Sequence, residues 1–308
     1  MTKPERLNLA IGKYCFVECA GCYNFFGGSQ PDLEALRQTV AVFVKLGIDK
    51  VTISGGDPLT VSGITDFIVD IRGYGIQLIK IDTVGTSLIS TNLRKTDDFH
   101  PNPAQRLRIL VDVVDYVGIP LDGWSNETVQ LFRTGRKFIY DETIRLLTEI
   151  DELNRTPNIV INTVVHKGNY EGLWQILSEM ARHRAICHWN IFQYTPTDQV
   201  DNNINARYYI DTETYLSICS AILSQFKDIQ WAGEHPTVEF RSIESRLGEY
   251  LLINSDGNAW LPDNIGNTVF LGNVYGQEME VLRNWSKKAN QIRTSRRKND
   301  FSKLLSLE

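Results

Sequence analysis

The chain has 308 residues, 42% of them hydrophobic and 22% charged, with a formal net charge of −5. Those values are ordinary for a soluble globular protein built as one large domain, or as a domain with an appendage. The acidic balance argues against a dedicated nucleic-acid binder, no apolar run approaches a membrane span, and Met1 to Arg6 has no apolar leader region. The expectation is a cytoplasmic protein with no membrane or nucleic-acid partner, in a reducing compartment where free thiols persist.

In chain order the patterning alternates strand and helix. Leu7 to Ile11 reads as a first strand. Pro31-Asp32 opens a helix with Leu33, Leu36, Val40, Phe43 and Val44 on one face. Lys50 to Ile53 is a β-branched second strand that runs into Ser54-Gly55-Gly56-Asp57-Pro58. A helix carrying Ile64, Phe67, Ile68 and Ile71 closes at Gly73. Ile76 to Asp82 and Val113 to Leu121 are the third and fourth strands. A helix over 139–152 precedes the fifth strand, Asn158 to Val165. A helix from Tyr170 to Met180 precedes the sixth, His188 to Tyr194. Such β-α repetition implies a parallel sheet covered by helices. Six units are fewer than the eight of a closed barrel, so the expected α/β fold is an open, partial (β/α)6 TIM-like barrel.

The repetition stops near residue 230. Short strands at 237–241, 249–254, 258–260 and 269–272, with a turn signal at Asn254-Ser255-Asp256-Gly257-Asn258, predict a small, mostly antiparallel C-terminal region. Residues 1–235 are assigned to the barrel and 236–308 to a β-rich cap with a helix or tail. The basic stretch Lys287 to Lys298 reads as a solvated helix end or tail.

Cys15, Cys19 and Cys22 carry the functional signal, in C-x3-C-x2-C spacing on the loop after the first strand. Three thiolates on one loop can hold three irons of a [4Fe–4S] cluster and leave the fourth open; such clusters usually have four cysteine ligands. A zinc site would need a nearby fourth ligand, and no His or Cys follows until His100. Five cysteines without a leader do not make a disulfide framework. The second motif, Gly55-Gly56-Asp57, follows the second strand. Paired glycines let a ligand approach backbone closely, and an acid beside them can accept hydrogen bonds from an ammonium group.

Together these motifs resemble the radical S-adenosylmethionine (SAM) superfamily, and the layout is closest to its viperin and MoaA-like branch. Residues 7 to about 195 carry the resemblance. It implies that Cys15, Cys19 and Cys22 ligate one [4Fe–4S] cluster and that Gly55, Gly56 and Asp57 hold the methionine amine of SAM, with Asp in place of the family's Glu. Thr83 lies in a turn similar to the family's Thr-Asn-Gly, with Val84 replacing Asn. Asp122 stands in a Ser-x-Asp-Gly-like end of the fourth strand as a ribose contact or a helix N-cap, with Pro120 replacing Ser. Arg136, in a Gly-Arg pair, is implied to bind the SAM carboxylate, with Arg133 as a rival. Asn162 on the fifth strand and Gln193 on the sixth complete the implied cofactor contacts. Gly21 replaces the aromatic residue often found before the third cysteine, so the resemblance leaves the adenine contact to Tyr23 or Phe25, or to backbone alone.

The C-terminal outline resembles the auxiliary-cluster domain of peptide-modifying members, but no cysteine follows Cys219. One cluster is therefore expected. Cys187 and Cys219 read as buried structural thiols, or as a hydrogen-atom donor. The polar segment 197–208, with Arg207 and Tyr208, is the substrate-side candidate. The expected function is radical SAM chemistry on a small polar substrate, a nucleotide or related metabolite, with an electron donor such as flavodoxin or ferredoxin. A maturase of a ribosomal peptide and a catalytically inactive metal- or partner-binding member are the alternatives.

Overall fold

A computed structural model of the protein describes residues 1–12, 14–22, 30–89 and 111–294. Its strands, in chain order, are β1 (Leu7–Gly12), β2 (Glu18–Cys19), β3 (Lys50–Gly55), β4 (Leu78–Asp82), β5 (Tyr116–Pro120) and β6 (Arg133–Thr134). They continue as β7 (Ile159–Val165), β8 (Ile186–Gln193), β9 (Thr237–Arg241), β10 (Leu252–Asn254), β11 (Asn258–Pro262) and β12 (Thr268–Asn273). Ten of them form one sheet in the order β12-β11-β10-β1-β3-β4-β5-β7-β8-β9. The six expected strands run parallel through its centre, as in a partial TIM-type barrel.

The C-terminal strands do not stand apart from this sheet. β9 pairs parallel with β8 at one edge, and β10 pairs parallel with β1 at the other. Within this sheet, among the described residues, only β10-β11 and β11-β12 are antiparallel. A sequence window cannot reveal this, because hairpin chemistry reports the local turn and not the partner across the sheet.

Strand alternation sorts the sheet into two faces. Val51, Ile53, Ile79, Ile81, Val117, Ile119, Ile161, Trp189 and Ile191 are buried in the main core, toward the helices. Leu33–Lys45 shows how such a helix is specified. Asp32 caps it by accepting from the Ala35 N–H, and Leu36, Val40 and Phe43 form its buried stripe. Between the core positions Thr52, Lys80, Asp82, Asn162, His188 and Asn190 put polar groups on the inner face, interrupted by Gly118, Val160, Val164 and Phe192. Two helices between β8 and β9 go beyond the expected elements, and a third is the helix expected in the C-terminal region. Asn202–Tyr208 forms within the polar segment, capped by Asp201, and Thr212–Asp228 follows it. Glu278–Thr294 buries Leu282 and Trp285, and the Trp285 indole donates to the Tyr250 carbonyl at 2.7 Å. Among the described residues no helix is long and apolar enough to cross a membrane.

Candidate active site at the cysteine loop

The three cysteines follow β1, at the C-terminal edge of the parallel strands, where α/β proteins bind ligands. Their loop is held from two sides. On one side β2 pairs with β6, with Cys19 opposite Arg133, and the Ala20 N–H donates to the Phe132 carbonyl at 2.9 Å. On the other side the Gly56 N–H donates to the Gly12 carbonyl at 2.7 Å and the Asp57 N–H to the Tyr14 carbonyl at 2.5 Å. A Cβ on Gly56 would lie 2.2 Å from the Tyr14 oxygen, and one on Gly55 2.5 Å from the Gly12 nitrogen. Gly55 also sits at φ +121°, where L side chains are strained. The glycine pair thus brings two protein backbones together at the cysteine loop, a close approach that the sequence reading gave to a ligand.

Asp57 is fully buried. Its carboxylate accepts from the Leu59 N–H at 3.0 Å and the Val84 N–H at 3.0 Å, and the Thr83 hydroxyl lies 2.9 and 2.8 Å from its two oxygens. The Thr83 oxygen in turn accepts from the Gly85 N–H at 3.0 Å. The expected ammonium acceptor is therefore engaged in joining the ends of β3 and β4, and Thr83 serves the same joint.

The charged partner at the cysteines is Arg133. Its guanidinium pairs with Asp122 and donates to the Cys19 sulfur at 3.0 Å. Asp122 is fully buried and also accepts from the Val164 N–H at 2.6 Å. Ser125, not Asp122, caps the next helix. Burial works against the Arg133 charge, but Asp122 outweighs it and holds the guanidinium well above its ordinary range. Arg136 turns away and pairs with Glu142. Neighbouring arginines share one motif, and only the β2–β6 register decides which meets the cysteines.

The surroundings are dry. Cys15 and Cys19 pack against Val17, Val84, Val129 and Ile139, and Cys19 also packs against Phe132, Tyr194 and Tyr208. Burial pushes the Cys15 thiol up to about 11 and raises Cys19, with Arg133 opposing. Such thiols lose their protons to a metal on binding it. Gly21 leaves room for Tyr194, whose ring carbon would lie 2.3 Å from a Cβ there. An aromatic ring from the end of β8 thus packs where the loop itself has none. Beside it His166 is buried and stacked on Phe132, with ring centroids 5.0 Å apart. Burial lowers its pKa to about 4, with Arg133 adding and Asp122 opposing. Its Nδ1 accepts from the Gly168 N–H at 3.0 Å. Nothing in the sequence marked His166, because its partners lie on four different segments.

The other expected positions scatter. Asn162 faces inward, donating to Asp82 at 3.0 Å. Gln193 is buried on the opposite face, donating to the Ile210 carbonyl and accepting from the Ile243 N–H, each at 3.0 Å. Tyr208 is buried in the aromatic group, donating to the Leu131 carbonyl at 2.5 Å, and Arg207 is exposed. Cys219 is buried in the helix layer beside Tyr215. Cys187 sits at the start of β8, six residues or about 20 Å of strand from the cysteine end. Neither reaches the cysteine loop. Tyr23 and Phe25 lie outside the described residues.

Among the described residues no three His, Cys, Asp or Glu side chains gather as a cage for a single metal ion. The donor chemistry of three free cysteines in an apolar setting still suits a cluster. The comparisons with known proteins agree with that donor set. The Radical SAM superfamily matches residues 9–180, and the chain belongs to this superfamily of enzymes, which use a [4Fe–4S] cluster and SAM. The S-adenosylmethionine-dependent nucleotide dehydratase of Lacinutrix mariniflava is 26% identical over 87% of this chain and 52% of its own length. A probable GTP 3′,8-cyclase of Methanothermobacter marburgensis is 24% identical over 67% of this chain and 62% of its own. The chain therefore spans about half to three fifths of these relatives. Among solved structures, Streptococcus suis SuiB bound to S-adenosylmethionine superposes at TM-score 0.70 and 15% identity, covering 99% of this chain and 72% of that one. Native anSMEcpe with bound AdoMet and a peptide gives 0.67 and 13%, over 94% and 83%. Both likenesses are of fold.

Proposed function

We propose that the chain is a single-cluster radical SAM enzyme acting on a small polar substrate, a nucleotide or related metabolite. The observation that carries this reading is the half-buried setting of Cys15, Cys19 and Cys22 on one loop, with Cys15 and Cys19 packed among apolar side chains, tied to Arg133 on one side and to Gly55-Gly56-Asp57 on the other. Cys15, Cys19 and Cys22 would hold one [4Fe–4S] cluster, which when bound supplies the electron for SAM cleavage and the 5′-deoxyadenosyl radical chemistry. The residues around it hold the loop, keep it dry and place one fixed positive charge beside Cys19. Arg133 replaces Arg136 as the candidate partner for an anionic group of SAM, because only Arg133 lies at the cysteines. With Asp57 engaged in protein contacts, the role proposed for it is positioning of the loop. The nucleotide class is supported by the names of the dehydratase and cyclase relatives and by the polar inner face. An electron donor such as flavodoxin or ferredoxin completes the proposal.

The test is anaerobic incubation of reconstituted protein with SAM and dithionite. Methionine and 5′-deoxyadenosine are expected, with more 5′-deoxyadenosine when a matching nucleoside or nucleotide is added. Iron-loaded protein that never cleaves SAM would overturn the reading.

A further inference from the structure

The inner face of the sheet carries a hydrogen-bonded ladder, and Asn162, which the resemblance implied as a cofactor contact, is its central member. Asn162 on β7 donates to Asp82 Oδ1 on β4 at 3.0 Å. These two strands are not neighbours, for β5 runs between them. The side chains meet directly over Gly118 of β5, where a Cβ would lie 1.9 Å from Asp82 Oδ1 and 2.7 Å from Asn162 Nδ2. Gly118 is thus the residue that lets the ladder cross a strand. Asn190 on β8 then donates to Asn162 Oδ1 at 2.9 Å, and Asn190 Oδ1 lies 2.8 Å from His188 Nε2. The His188 Nδ1 lies 2.5 Å from the Thr237 hydroxyl of β9. Each amide is oriented by the carboxylate at the end of the row, so the ladder has one direction.

Its unused valences form a pattern. Asp82 Oδ1 takes both Lys80, at 2.9 Å, and Asn162, leaving Oδ2 without a bond among the described residues. Each Asn nitrogen has two hydrogens and uses one. An acceptor and two donors therefore stand side by side. Among the described residues the cations of this face are already paired: Lys80 with Asp82, and Arg241 with Glu239 at 2.7 Å and Glu249 at 3.1 Å. Arg246 donates to the Gln193 carbonyl at 2.8 Å and the Thr195 hydroxyl at 2.6 Å. A polyphosphate would have to break these pairs and meet three carboxylates.

We infer that Asp82, Asn162 and Asn190 form a specificity-determining surface for a planar group with adjacent donor and acceptor, an amide or a nucleobase edge, on a molecule without a polyphosphate. This rests on the proposed function and narrows its substrate class. The geometry is that by which an amide side chain reads a base edge or another amide.

The test is calorimetric titration of the anaerobic, cluster- and SAM-loaded protein with cytidine, adenosine, their triphosphates and acetyl-asparagine amide. At least one uncharged probe should bind, a nucleoside pointing to a base edge and the amide to a peptide source. Its triphosphate should bind no tighter than the nucleoside. Asn162→Asp, which turns a donor into an acceptor, should weaken the bound probe at least about tenfold, as should Gly118→Ala, which displaces Asp82. Thermal melts of both variants separate this loss from misfolding. A triphosphate favoured more than about tenfold over its nucleoside, unchanged affinity in both folded variants, or no binding by any uncharged probe would each overturn the inference. SAM cleavage is scored separately: binding without any 5′-deoxyadenosine removes the radical reading and leaves the ladder standing.

Discussion

The cysteine end of the sheet and the rim segment 198–201 are both tied by side-chain hydrogen bonds, but they differ in burial. At the cysteine end Asp57 and Asp122 are fully buried, and each carboxylate serves several partners. At the rim Asp198 accepts from the Thr268 N–H at 3.0 Å and its hydroxyl at 2.9 Å, and Gln199 donates to the same hydroxyl at 2.8 Å, all exposed. Buried ties are costly to break because the partner left behind stays unsatisfied, whereas exposed ties exchange with water. One end is thus built to hold a fixed arrangement, and the other can open and close at small cost.

The largest effect expected is on the cluster. Anaerobically purified protein should carry about four irons, and replacing Cys15, Cys19 and Cys22 together with Ala should remove them. Iron analysis and the visible absorption of the reconstituted protein check this. Zinc without iron in the wild type, or iron surviving the triple change, would break the comparison at its rigid end.

Next comes the buried pair. Asp122→Ala leaves the Arg133 guanidinium without its carboxylate in an apolar setting and should destabilise by about 3–5 kcal/mol. Glu142→Ala removes the partner of the more exposed Arg136 and should cost only about 0.5–1 kcal/mol. Urea unfolding of the two variants side by side measures the contrast. Equal losses would show that burial does not distinguish the two arginines.

Much of the cysteine end was legible because its signals are local. Cys15, Cys19 and Cys22 lie within eight residues, and Gly55-Gly56-Asp57 follows a clear strand. The six central strands were legible for the same reason, through β-branched runs and period. What the sequence hid was partnership. Arg133 and Arg136 sit in one motif, and Gln193 differs from Asn190 only by which face the strand's alternation gives it. Asp57 was assigned to a ligand because the Thr83 and Val84 donors lie on another strand end, 26 and 27 positions away. The edge pairing of β9 and β10, and the crossing over Gly118, are likewise long-range matches that no window contains.

A pH effect of intermediate size should come from His166. Its folded pKa of about 4 lies below the ordinary 6.5, so the unfolded chain binds the proton more readily. Its contribution is fully present above pH 6.5 and is lost as the pH falls from 6.5 toward 4, up to about 3 kcal/mol. Unfolding free energies at pH 7 and pH 5 should therefore differ more in wild type than in His166→Gln. Parallel curves for the two proteins would show that His166 is not held neutral by burial.

The smallest effect on stability, and the sharpest on function, belongs to the rim. Asp198→Ala removes only exposed hydrogen bonds and should cost about 0.5–1 kcal/mol. If the segment shields the reaction, though, its detachment from Thr268 should separate two readouts. Cleavage of SAM should continue while product per 5′-deoxyadenosine falls, because an exposed radical is quenched before it finds substrate. Shortening the segment at Asp198 and Gln199, which leaves the Asp201 cap and helix Asn202–Tyr208 with its buried Asn205 in place, should deepen the same split. The Asn205 side chain accepts from the Tyr194 hydroxyl at 2.9 Å and donates to the Thr197 carbonyl at 2.9 Å, so the helix is anchored to the cysteine end and not to the hairpin. Product yield that stays coupled in both variants would show that the rim is a connection and that shielding is supplied elsewhere.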